Sequence, residues 1–135
     1  MIFFICFSTL FLNEIIKVII QSVRYRKLNL SWFLHGGGMP SGHSAFTSSV
    51  ATLVAYLKGW NSVEFLITLT IAMITIYDAR GVRAMVGKHS REINKIAENS
   101  RLEEFVGHTN WEAFIGACIG ISLTVVQIML FNPAL

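Results

Sequence analysis

A chain of 135 residues is long enough for one domain and short for two. It is 53% hydrophobic and only 14% charged, where soluble domains carry about 25% charged residues; with a mean hydropathy of +0.57 this excludes an ordinary soluble domain and points to an integral membrane protein. The net charge of +3 does not indicate a nucleic-acid partner, because the basic residues form no stripe with interleaved aromatics and cluster instead in the gaps between apolar runs, as a membrane topology signal does.

A bilayer-spanning helix needs about 20 mostly apolar residues, and four segments are candidates. The first runs from Ile2 to Val23. It lacks a basic leader and a small-residue cleavage site and carries Asn13, Glu14 and Lys17, so it reads as a mature helix rather than a signal peptide. Near its end, "KVIIQSVR" places Lys17 and Arg24 seven residues apart, two helical turns, on one face. A charge inside the bilayer is costly and usually faces a partner or a wet cavity. Arg24 alone also suits snorkelling to the headgroups. As a pair, the two point to anion binding.

Next comes "HGGGMPSGHSA", residues 35–45, a polar knot in a greasy chain. Glycines permit close backbone approach, and Ser41 and Gly42 lead into a second apolar segment, Ser44 to Leu57. A helix starting there would offer unpaired N–H groups to a phosphate, with Ser41 as its cap and His43 beside the anion nest. The plainer reading is a Gly/Pro loop with a solvated histidine. His35 precedes the glycines and has no assigned role. The second segment is short for a span and is expected to be tilted or partly buried.

The third segment runs from Val63 to Tyr77, with a continuation to Arg83. Its end, "YDARGVR", places Asp78 and Arg83 at the membrane boundary, either as a structural ion pair or as part of a site in which Arg83 holds phosphate. In residues 81–105, Met85, Val86, His89, Ile93, Ile96 and Ala97 recur near helical spacing among charged residues. This predicts an amphipathic helix at the membrane surface.

The fourth segment runs from Trp111 to Phe131, preceded by His108. Glu112 lies four residues on, where a helix brings it to the face of His108. A carboxylate there can orient an imidazole; equally, Thr109 can cap the helix while Glu112 complements its dipole. Gly116 and Gly120 form a GxxxG spacing that permits close helix contact, expected within the monomer although a homodimer suits so small a bundle. Cys6 and Cys118 lie in apolar segments with no metal-type spacing and are expected to act as small hydrophobes.

Segments 24–43 and 80–107 hold most of the basic residues, whereas the turn after the second segment holds only Lys58. The positive-inside rule then places both basic segments in the cytosol and both termini outside. Lys17, Arg24, Ser41, Gly42, His43, Asp78, Arg83 and His108 all reach that inner face.

Taken together, these pieces resemble the type-2 phosphatidic acid phosphatase superfamily, whose signature is Lys-x6-Arg-Pro, then Pro-Ser-Gly-His, then Ser-Arg-x5-His-x3-Asp. Lys17 and Arg24 match the first without its proline, since Tyr25 follows; "PSGH" at 40–43 matches the second; "HTNWE" at 108–112 matches the end of the third, with Glu112 for aspartate. The motifs "GGMPSGHSA", "DARGVR" and "GHTNWEAFIGA" are more closely similar to a small divergent branch related to acid phosphatases and vanadium haloperoxidases. Leu102 stands where the third motif has arginine, and Ser100 and Arg101 are one residue out of register, about 100° on a helix. Arg83 is the candidate replacement.

The resemblance implies an all-α, integral-membrane phosphatase-like domain over residues 1–135, and the apolar segments give it about four transmembrane helices and a cytosolic-surface amphipathic helix. It implies hydrolysis of a lipid phosphomonoester through a phosphohistidine, with no cofactor and no metal. His108 would attack phosphorus, oriented by Glu112; His43 would protonate the leaving oxygen; Lys17, Arg24, Arg83 and the backbone near Ser41 and Gly42 would hold the phosphate oxygens, with Asp78 beside them. A cytosolic site favours phosphatidylglycerophosphate or phosphatidate as substrate. Isoprenyl (di)phosphate hydrolysis, phosphotransfer between lipids, and a catalytically impaired phospholipid-binding scaffold are the alternatives.

Overall fold

The computed structural model describes residues 1–28, 33, 37–97, 101–102, 104 and 107–131. His35 and Ser100 lie outside the described residues. The architecture is all-α: α1 (Ile2–Tyr25), α2 (Gly42–Lys58), α3 (Val63–Arg80), α4 (Val82–Ile96) and α5 (Asn110–Phe131). Three helical stretches are long and apolar enough to cross a membrane: α1, the run Val63–Ile96 made by α3 and α4, and α5. At 17 residues, α2 rises about 25 Å, short of the ~30 Å hydrocarbon core.

Local chemistry sets the ends of these helices. Ser41 caps α2 and Ser62 caps α3, each accepting from an amide three residues on. The third apolar segment does not continue to Arg83: α3 stops at Arg80, where the Gly81 N–H turns back to the Tyr77 and Asp78 carbonyls, and α4 starts afresh at Val82. Met85, Val86, Ile93 and Ile96 on α4 are exposed, an apolar stripe that suits the bilayer surface.

Polar and apolar residues are distributed inside out. Phe3, Phe4, Phe7 and Phe11 of α1, and most large apolar residues of α3, face outward, while among the described residues buried polar side chains outnumber buried apolar ones. Lipid tails solvate apolar side chains as well as a protein interior does, so such a bundle is held by close packing and interhelical hydrogen bonds. The central helix is α2, which packs against α1, α3 and α5 and buries mostly small residues: Gly42, Ser44, Ala45, Ser48, Ser49, Ala51 and Ala55.

On α5 the facing stripe is Ala113, Gly116, Gly120, Thr124 and Gln127. A Cβ at Gly116 would overlap the Ser41 backbone, and one at Gly120 the Ala45 backbone. The GxxxG spacing is thus used inside the monomer, where α5 lies directly on α2. Below it, the Thr124 hydroxyl donates to Ser49 Oγ at 2.7 Å, Gln127 Nε2 to Thr9 Oγ1 at 3.0 Å, and Ser8 Oγ to Gln127 Oε1 at 2.6 Å. Bonds of this kind contribute about 0.6 kcal/mol each, so the three fix register more than they supply stability.

Candidate active site

His108 is placed by backbone. Gly107 has φ 85°, and a Cβ on it would overlap the Arg83–Ala84 backbone. The chain therefore passes tightly over the start of α4 before entering α5, and only glycine serves there. The His108 N–H then donates to the Ala79 carbonyl at 2.9 Å, tying it to the end of α3. The residue is 5% exposed. Burial pushes its imidazole below the ordinary 6.5; the Glu112 carboxylate opposes this, positive charge on His43 and Lys17 adds to it, and a backbone hydrogen bond to Gly38 opposes it.

Glu112 has two neighbours. Its Oε2 accepts from the Thr109 N–H at 2.8 Å while the Thr109 hydroxyl accepts from the Glu112 N–H at 3.2 Å. This is a reciprocal capping box on α5. The same Oε2 stands 3.9 Å from His108 Nδ1, within ion-pair range but beyond hydrogen-bond reach.

The Pro-Ser-Gly-His turn is anchored on the same helix start. The Ser41 N–H donates to the Glu112 carbonyl at 3.2 Å. The Ser41 hydroxyl, fully buried, accepts from Ser44 N at 3.4 Å and lies 3.1 Å from Ser44 Oγ. The Ser41 carbonyl accepts from the Ala45 N–H at 3.0 Å, so all three polar groups of Ser41 are engaged in holding the turn. His43, two residues on, projects from the first turn of α2. Partial loss of water around its ring pushes its imidazole below 6.5; Arg83 and Lys17 push it the same way, and Glu14 and Asp78 oppose them.

Two cavities meet at His108. One, of about 680 Å³, has an apolar wall of Phe7, Leu10, Phe11, Phe33 and Phe46. Its polar end holds Glu14, Lys17, Gly42, His43 and His108. The other, of about 610 Å³, is cationic: Arg24, Arg80, Lys88 and Arg91 line it with Gln21, Glu104, Glu112 and again His108. A buried imidazole between an apolar chamber and a basic one can face an amphiphilic phosphate ester from both ends.

Lys17 and Arg24 share a helix face but open into different cavities, one on each side of His108. Asp78 and Arg83 pair with each other, Arg83 Nε to Asp78 Oδ2 at 2.8 Å, both partly exposed, and line neither cavity. They stand close enough to His43 for their charges to act on its ring. Arg101 and Leu102 are exposed on the return segment, where Asn94 Nδ2 donates to the Leu102 carbonyl and to Glu104 Oε1, both at 2.9 Å.

Glu14, Lys88 and Arg91 of the site fall outside the sequence motifs, and Arg80 lies inside "DARGVR" with no role assigned from the sequence. Glu14 forms an ion pair with Lys17, and its carboxylate lies against Gly42, where a Cβ would overlap it. The signal for it was a polar stripe on α1, Thr9, Asn13, Lys17 and Gln21 at four-residue spacing with Glu14 alongside, all buried.

A profile described as the Divergent PAP2 family matches residues 1–123. The chain is similar to the uncharacterized membrane protein YuiD of Bacillus subtilis (strain 168), at 35% identity over 138 aligned residues covering 87% of each chain. No solved structure matches it.

Proposed function

Because the chain belongs to the Divergent PAP2 family, we propose that it is a membrane lipid phosphatase that hydrolyses a phosphomonoester through a phosphohistidine on His108. The observation that carries this reading is that His108 lines both cavities, with His43 in one and a cluster of cations in the other.

In this reading the lipid chain occupies the phenylalanine-walled cavity and the phosphoryl group faces Arg24, Arg80, Lys88 and Arg91. Phosphoryl transfer needs positioning and charge neutralisation above all, and four cations beside one imidazole supply both. The lone pair of a His108 ring nitrogen forms a bond to phosphorus as the bond from phosphorus to the lipid oxygen breaks. His43 gives its proton to that oxygen, so the lipid alcohol leaves neutral. Water then attacks phosphorus and gives a proton to His43 as the bond from phosphorus to His108 breaks, returning its electron pair to the ring nitrogen, and inorganic phosphate departs. Glu112, 3.9 Å from His108 Nδ1, steadies the imidazole through its charge, and Lys17 supports the leaving side.

The basic segments of the chain favour a site on the cytosolic face, with both termini outside and with phosphatidylglycerophosphate or phosphatidate as substrate. The test is phosphate release by purified protein in detergent from these two lipids and from an isoprenyl diphosphate. Turnover of at least one is expected, with His43→Ala slower by about 10²–10⁴-fold. No release from any of the three would refute the reading.

A further inference from the structure

The mechanism above gives no part to Glu14, a carboxylate only 9% exposed inside an apolar helix, where a charge is costly and retained for a reason. Its surroundings suggest the reason. Lys17, one turn on, pairs with it. Its carboxylate rests against Gly42 in the first turn of α2, where unpaired N–H groups and the helix dipole favour an anion. It also lines the apolar cavity together with His43 and His108. The chain's own carboxylate therefore occupies the anion-favouring start of α2, one residue before His43, and the phosphoryl group is left to the cationic cavity.

We propose that Glu14 is a positioning residue for the reaction: seated between Lys17 and the first turn of α2, it supplies the negative charge against which His43 holds and delivers its proton. The inference rests on His43 being the acid of the proposed phosphatase.

The charged groups facing His43 are Glu14 and Lys17 from α1, Asp78 from α3 and Arg83 from α4, with His108 ahead of α5. Partial desolvation, Arg83 and Lys17 all disfavour the imidazolium; Glu14 and Asp78 favour it, Glu14 the more strongly. Asp78 is held by Arg83 at 2.8 Å on the outer surface. Glu14 is thus the principal counter-charge on the cavity side. An acid that must be protonated near neutral pH, beside a cationic phosphate site, needs such a counter-charge. In the proton transfer the His43 N–H bond breaks as the O–H bond of the leaving alcohol forms.

The test is the titration of the histidine ring resonances in the intact protein in detergent micelles, with His43 identified by its loss in His43→Ala. Glu14→Gln should shift the His43 midpoint downward and move the alkaline limb of kcat to lower pH with it, with little change in KM. Glu14→Asp should restore part of the shift. Because Glu14→Gln breaks the buried ion pair with Lys17, the Glu14→Gln/Lys17→Met double variant, which removes both charges of the pair together, is the folding control, and its shift should be smaller than that of Glu14→Gln. A His43 midpoint that stays in place or rises in Glu14→Gln overturns the proposal. The ring titration does not depend on turnover, so failure of the phosphatase reading would show separately, as absence of phosphate release by the wild type.

Discussion

Glu112 caps its own helix before it reaches His108: its Oε2 accepts from the Thr109 N–H at 2.8 Å and stands 3.9 Å from His108 Nδ1. One carboxylate thus serves helix stability and site electrostatics, and two substitutions separate the roles. Glutamine at this position keeps the capping box and removes the charge. Alanine removes both, at a cost of about 1 kcal/mol. Glu112→Gln should melt close to wild type in detergent while kcat falls about tenfold, equivalent to ~1.4 kcal/mol. Glu112→Ala should lose stability as well. A wild-type kcat in Glu112→Gln would confine the residue to capping.

The pH dependence follows from His108. In the proposed mechanism it attacks as the neutral imidazole, and its burial holds the pKa below 6.5. The neutral form therefore persists to more acid pH than for a free histidine, and the acid limb of kcat/KM due to His108 should lie below 6.5. Glu112 raises this pKa, so Glu112→Gln should move the limb further toward acid. A pH–rate profile of the two proteins on one substrate checks the sign; movement toward alkaline pH would contradict it.

The cationic cavity separates Arg80 from Arg83. A hydrogen bond to a charged group contributes about 1.5–3 kcal/mol, which corresponds to roughly 10–100-fold. Arg24→Gln and Arg80→Gln, both in the cavity lining, should lower kcat/KM by that order. Arg83, exposed and held by Asp78, should matter less than either when replaced by glutamine. Steady-state kinetics of the three variants on one lipid phosphate decides the ranking.

Orientation is testable by cysteine labelling. Cys6 is buried and Cys118 exposed, so both are replaced first. A cysteine at exposed position 60, in the turn between α2 and α3, should react with an impermeant maleimide on intact cells. One at exposed position 89 on α4 should react only after permeabilisation. The reverse pattern would place the site outside the cytosol.

The helices were legible in the sequence because apolar run length and cap residues are local signals: Ser41 and Thr109 stand at helix starts, and Gly116/Gly120 marked a close helix contact. The cation cluster was not legible. Lys88 and Arg91 look like the solvated face of an amphipathic helix and Arg80 like one more charge of the cytosolic basic segment, and the three line a cavity only because the chain breaks at Gly81 and returns over α4 through Gly107. Arg83, the candidate replacement for the third motif's arginine, pairs with Asp78. Glu14 read only as a charge unsuited to a signal peptide. Its meaning depends on where Gly42 comes to lie, which is a tertiary fact.

The most direct test of the central claim is to mix the protein in detergent with a lipid phosphomonoester, quench with base to preserve phosphohistidine, and map the phosphoryl group by mass spectrometry. The account predicts a phosphoryl group on His108 of the wild type, none in His108→Ala, and phosphate release by His108→Ala at background. Phosphate release by His108→Ala at the wild-type rate, or wild-type turnover with the covalent phosphoryl group on another residue, would contradict it.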